Sequence, residues 1–216
     1  MVKKSSIRRV LMAAFCSFAV TLAAARAGAA GDTFKQSAEL GKRTAKTSED
    51  VDKYVTQLDK TEQALSSVSQ AEGKDLKKRY ESFCTEVKKL EDAQKHATSD
   101  INEMKSTGAE YFSSWDTSIA QMSGPELRQA STERRSKVMK DHDELAVSLS
   151  DIGSQMQPFM RNLRDVKEFL GTDLSPANIA NASEMIRKSQ TDAQVLKGKI
   201  AGVQTTLKQF LSEAPK

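Results

Sequence analysis

The chain has 216 residues, of which 10 are glycine and 4 are proline, and its charged residues make up 29% against 38% hydrophobic. So few breakers, with Val and Ile not clustered in alternating runs, exclude an all-β domain and favour a single all-helical one. The formal charge of +4 looks basic, but Lys3, Lys4, Arg8, Arg9 and Arg26 fall in the first thirty residues, which carry no acid; the remainder holds 28 basic against 29 acidic groups, a net charge of −1. Nucleic-acid binding thereby loses its electrostatic support.

Those first residues form a leader. A charged start from Met1 to Arg9 precedes an apolar run from Val10 to Ala25, and then comes Ala27-Gly28-Ala29-Ala30. Small side chains at Ala27 and Ala29 suit a signal peptidase, so residues 1–29 read as a signal peptide, cleaved, and residues 30–216 as one helical-bundle domain. The alternative is a tether through an uncleaved leader, although the apolar run falls short of the ~20 residues that a span needs. Arg8-Arg9 matches the twin-arginine pattern only in part, which favours the general secretory route. Cys16 follows Phe15, where a lipoprotein site needs a small residue, so lipid attachment is rejected. The expected location is the periplasm.

Helix one is expected over residues 33–70, with Asp32 and Thr33 as cap oxygens. Its inner seam is convincing from Val51 onward: Val51, Leu58 and Leu65 beside Tyr54, Thr61 and Val68. The half from Lys35 to Asp50 is poor in apolar residues and is expected to fray. Gly73 then supplies the left-handed residue of the first turn.

Helix two, residues 75–122, organises the rest. Leu76, Phe83, Leu90, Ala97, Met104, Tyr111 and Ser118 form one row, and Tyr80, Val87, Gln94, Ile101, Gly108, Trp115 and Met122 the other. Steps of four and three alternate without a slip, which is coiled-coil geometry. A helix of that length spans ~70 Å and needs long neighbours.

Ser123-Gly124-Pro125 turns the chain into helix three, residues 125–170, whose seam is Val138, Leu145, Ile152, Phe159 and Val166 beside His142, Leu149, Met156, Leu163 and Leu170. Pro158 removes one backbone bond inside it and predicts a kink rather than a stop. Gly171-Thr172-Asp173-Leu174-Ser175-Pro176 is the strongest turn signal, with Gly171 ending one helix and Ser175 capping the next. Helix four, residues 176–212, carries Ile179, Ile186, Ala193, Ile200 and Leu207 beside Ala182, Ser189, Leu196, Val203 and Phe210. The fold class is therefore all-α: an elongated antiparallel four-helix bundle or coiled coil. With helices one and four shorter, the end of the helix two and three hairpin, from Tyr111 to Arg135, is expected to project as a tip.

That tip sets Tyr111, Phe112 and Trp115 opposite Ser131, Arg134 and Arg135. One reading is internal packing, with Trp115 over Ser131 and an arginine on its ring, worth ~1 kcal/mol. The other makes Tyr111, Phe112, Trp115, Arg134 and Arg135 a partner-binding surface, because Trp, Tyr and Arg dominate interface hot spots. Asp92, His96 and Asp100 step by four along helix two and read as a solvated charged face in preference to a metal row, since zinc wants four ligands. His142, on the helix three seam, reads as a polar notch fixing register, with no nucleophile assignable to it. Without the leader, Cys84 is the single cysteine; it sits beside the core or links a homodimer. No Glu-x-x-His pair, phosphate loop, zinc-type cysteine pairing or nucleophile elbow occurs, so no cofactor, metal or catalytic residue is expected.

Three segments carry a resemblance: Gly73-Lys74-Asp75-Leu76, Tyr111-Phe112-Ser113-Ser114-Trp115, and Met156-Gln157-Pro158-Phe159-Met160-Arg161-Asn162-Leu163-Arg164-Asp165 leading into Phe169-Leu170. Through them the chain resembles exported bacterial coiled-coil proteins grouped as a domain of unknown function, number twenty-nine fifty-nine, over nearly its whole length after the leader. The resemblance implies an exported helical protein and supplies no activity. Many relatives carry a lipoprotein-type leader, which this chain lacks. The expectation is a non-enzymatic structural or interaction module of the cell envelope with a protein partner. The alternative is a periplasmic chaperone or hydrophobic-ligand carrier.

Overall fold

A computed structural model describes residues 5–71 and 73–213, with side chains described from Gly31 onward. Four helices follow in order: α1 (Ser5–Ser69), α2 (Asp75–Ala120), α3 (Pro125–Thr172) and α4 (Pro176–Glu213). No strand occurs among the described residues. Each helix packs on the next and α1 closes on α4, whereas α1 with α3 and α2 with α4 make no backbone contact among the described residues. The result is the square up-down-up-down bundle that short turns dictate.

Periodic apolar residues explain the core directly. Every seam position of α3 and α4, from Val138 to Leu170 and from Ile179 to Phe210, is buried. On α2 the rows are buried from Leu76 to Tyr111, apart from half-exposed Tyr80 near the first turn and the final residues Trp115, Ser118 and Met122. Leu58, Phe83, Leu90, Met104, Leu145, Ile200 and Leu207 are wholly removed from solvent at 0% exposure, so the interior is filled by side chains from all four helices.

The turns form as their residues require. Gly73 has φ +58° and is the one positive φ among the described residues. Gly124 is extended at the start of α3, and Pro125 follows in the first turn, where no N–H is needed. Ser175 Oγ accepts the Asn178 N–H at 3.3 Å, capping α4 ahead of Pro176. Gly171 departs from its expected role: α3 continues through it to Thr172, and an added Cβ would lie 2.7 Å from the Tyr80 hydroxyl. Its lack of a side chain admits Tyr80, whose hydroxyl donates to the Lys167 carbonyl at 2.7 Å. α3 also runs unbroken past Pro158, which lies on the exposed side of the helix with Ser154, whose carbonyl it deprives of a helical partner.

The largest departure lies in α1. Asp32 and Thr33 do not cap a helix; α1 passes through them and begins at Ser5, because the alanine-rich stretch from Ala23 to Ala30 has high helix propensity and no proline. The signal-peptide reading of residues 1–29 rests on side chains outside the described residues. The half of α1 expected to fray is instead helical and packed: Ser37, Leu40, Thr44, Thr47 and Asp50 are 7%, 2%, 0%, 0% and 6% exposed. Counting back from Tyr54 and Val51 gives Thr47, Thr44, Leu40 and Ser37, so the seam continues with hydroxyls in place of hydrocarbon. Thr44 Oγ1 donates to the Leu40 carbonyl at 2.8 Å, and Thr47 Oγ1 crosses to the Asp100 carbonyl at 3.1 Å. Satisfied hydroxyls can be buried. Each nevertheless forgoes the ~1.5–3 kcal/mol that a buried leucine contributes.

Candidate interaction site

The hairpin end does not stand clear of the bundle from Tyr111 onward. α1 reaches it, with Thr33 Oγ1 lying 3.0 Å from Ser114 Oγ and 2.8 Å from Ser118 Oγ. α4 reaches it too, since Arg134 donates to the Glu213 carbonyl at 2.6 Å. The expected bare tip is corrected accordingly, because the register of the helices brings Thr33 of α1 and Glu213 of α4 level with Ser118 and Arg134 of the hairpin.

Within this end the aromatic residues form a ladder. Tyr111 and Phe112 are buried, at 2% and 5% exposure, and Trp115 is half-buried. The Tyr111 ring lies 5.1 Å from Phe112 and 5.3 Å from Trp115, both tilted, as aromatic quadrupoles prefer. Trp115 Nε1 donates to Ser131 Oγ at 2.9 Å, joining α2 to α3 as the packing reading requires. The stacked arginine is Arg135, and it covers Phe112 in place of Trp115, with its guanidinium 5.7 Å from the ring centre and paired to Asp116 at 2.6 Å. Of the five candidate contact residues, Tyr111 and Phe112 therefore point inward, Trp115 and Arg135 straddle the surface, and Arg134 is exposed. The apolar side chains presented outward at this end are Phe34 and Leu127, 64% and 71% exposed.

His142 stands behind Phe112 as a notch. It is 4% exposed, meets Phe112 edge-on at 5.4 Å, and lies 6.0 Å from Phe210. Its Nε2 has no hydrogen-bond partner and presses on Gly108, where an added Cβ would be only 2.3 Å away. Gly108 is thus the hole for an imidazole knob, which locks α2 against α3 at one register.

A second cluster lies farther along the rod, and it was not legible as a contact. Asp92 and His96 are exposed, but Asp100 is buried, so the three do not share one outer face. Steps of four advance ~40° each around a helix, which turns Asp100 toward α1. There Lys46 Nζ bonds to Asp100 and also to Asp50, the latter at 3.1 Å, while Lys53 Nζ holds Asp50 from the other side at 3.0 Å. Hydrogen bonding to Asp100, then to the lysines, holds the Asp50 carboxyl well below the usual carboxylate range. Burial and the neighbouring Asp50 push Asp100 up. Bridged by Lys46, the two carboxyls titrate as a pair. Among the described residues no group of three or more His, Cys, Asp or Glu is placed to hold a metal.

Tyr54 is wholly buried on α1 with an unpartnered hydroxyl, and burial raises its pKa. Cys84 is a free, half-buried thiol. Its neighbour Tyr80 is pushed up to about 12, chiefly by burial and then by Cys84. Among the described residues no helix is long and apolar enough to cross a membrane.

Neither a curated protein nor a solved structure matches this chain. A family does: residues 35–213, from the polar half of α1 to the last turn of α4, match the family described as protein of unknown function (DUF2959), and the chain belongs to it.

Proposed function

We propose that the protein is an exported, non-enzymatic interaction module of the bacterial cell envelope, working as a rod that displays partner-binding residues at its hairpin end. The carrying observation is how the chain spends its apolar residues. The seams of α2, α3 and α4 are consumed inside the bundle, whereas Leu127 and Phe34 at the hairpin end are the most exposed of the large apolar side chains among the described residues. A photo-crosslinking residue at Leu127, with Val147 on the side of the rod as control, tests this in cells. The expected result is a discrete protein adduct from position 127 in the periplasmic fraction and none from 147. Equal, diffuse labelling from both would contradict it.

A second reading, a chaperone or hydrophobic-ligand carrier, is favoured by the hydroxyl-rich seam in the first half of α1, which holds that half with less hydrocarbon than the second. A carrier binds a hydrophobic dye and suppresses client aggregation at stoichiometric amounts; a scaffold does neither.

A further inference from the structure

At the hairpin end α4 stops before its neighbours do. Asn162 Nδ2 donates to Asp192 at 3.2 Å, which marks the flank of α3 that looks at α4. Positions seven apart keep one flank in a coiled-coil register. Four such steps back from Asn162 stands Arg134, which holds the carbonyl of Glu213, the last residue of α4. One step further stands Leu127, ~10 Å past that end. α1 runs past it as well. Its pairs with α4, Asp52 with Gln204, Asp59 with Lys197 and Glu62 with Gln194, keep one register, which brings Glu213 level with Arg43. Phe34 lies four steps of seven before Glu62 on the same flank, ~13 Å past the end of α4.

Burial changes at the same level. The seam of α2 is buried as far as Tyr111, whereas Trp115, Ser118 and Met122 beyond it are half-exposed, and so is Ser131 of α3. With no fourth helix at its corner, Phe34 and Leu127 stand as the walls of an open slot, and Trp115 lies in its floor.

We infer that an amphipathic helix of a partner protein docks in this slot, in line with α4, turning apolar residues toward Trp115, Phe34 and Leu127 and acidic residues toward α3. The inference rests on the interaction-module reading and names the partner's binding element. Shape selects a helix, because the slot is the vacant corner of a four-helix bundle whose other three corners already supply the holes for its side chains. Charge selects the acidic flank. On α3, Arg134 and Lys137 have one carboxylate between them, that of Glu213, and Arg128 farther along donates to the Met122 carbonyl. The facing flank of α1, Gly31, Phe34, Ala38 and Gly41, carries no charge to balance them. A second copy of this chain does not supply the apolar stripe, because its seams along the described residues are already buried inside its own bundle.

Two designed helical peptides without tryptophan test this on the full chain. Both carry a leucine stripe; one has glutamate and the other lysine on the flank set toward α3. Trp115 is the single tryptophan of the chain, so its emission reports the filling of the slot. The glutamate peptide is expected to shift that emission to the blue and to bind at least tenfold more tightly than the lysine peptide. Leu127→Ala with Phe34→Ala, both exposed side chains, should weaken it at least tenfold, and Val147→Ala on the side of the rod should leave it unchanged. Arg134→Glu with Lys137→Glu should reverse the preference between the peptides. Absence of binding, equal binding of both peptides, or binding indifferent to positions 34 and 127 would each overturn the inference. In cells, mass spectrometry of the adduct from position 127 is expected to place the crosslink in a segment of another protein with a leucine-type stripe and an acidic flank. A crosslink to this chain itself, which would make the occupant a second copy, overturns it too. If the peptides fail while Leu127 still captures a protein, the interaction module stands and the docked helix does not; loss of both removes the module as well.

Discussion

Gly108 and His142 make one object out of two residues 34 positions apart, and its energetics are local. Alanine at 108 gains ~1 kcal/mol of helix propensity over glycine. Its Cβ would, however, drive into an imidazole already hemmed by Phe112 and Phe210. Overpacking of that kind costs ~1–3 kcal/mol, so Gly108→Ala should lower stability in urea denaturation, and adding His142→Ala should return most of the loss. A Gly108→Ala chain as stable as the parent would mean the imidazole has room to move.

The Asp50–Asp100 pair makes a pH prediction whose sign follows from the two shifts. Asp100 is raised above its unfolded value near 3.8, so its contribution is complete below that value and is lost as pH rises through the folded one. Asp50 is depressed, so its contribution is present above the same unfolded value and is lost as pH falls through its folded one. The α1–α2 contact is therefore firmest in the interval where the pair holds one proton, with Lys46 and Lys53 balancing the charge left. Asp100→Asn, neutral at every pH, should abolish the loss on the alkaline side. Urea midpoints across a pH series check this, and a variant that keeps the parent's decline would assign it to other groups.

At the scale of the helices, legibility followed hydrocarbon. α3 and α4 could be read from sequence because Leu, Ile, Val, Met and Phe fill the seam from Val138 to Leu170 and from Ile179 to Phe210, except at His142, Ala182, Ser189 and Ala193. The first half of α1 escaped because Ser37, Thr44 and Thr47 hold the same phase without hydrophobic signal, and its start escaped because nothing in the alanine-rich leader stops a helix. Asp50 and Asp100 belong to different helices, so only the α1–α2 register brings them together. Gly108 was visible as a seam residue, but its purpose needed the position of His142. Pro158 offers a test at this scale. Proline inside a helix costs ~3 kcal/mol relative to alanine, so Pro158→Ala should stabilise the chain by up to that amount in urea denaturation. A loss of stability would mean the proline ring is needed to seat Phe159 and Met160.

Across the whole molecule the rod has two grades of interior. One runs the length of α2, α3, α4 and the second half of α1, and is built of buried hydrocarbon. The other is the hydroxyl and carboxylate layer under residues 37–50. Buried apolar contact is what makes helical segments unfold together, so the second grade should open first and separately. Native-state hydrogen exchange, resolved by residue, measures this directly. Amides of residues 37–50 are expected to exchange at least tenfold faster than those of residues 54–68 in the same helix, while residues 54–68 exchange together with the centres of α2, α3 and α4. Uniform protection along α1 from Ser37 to Val68 would contradict the account.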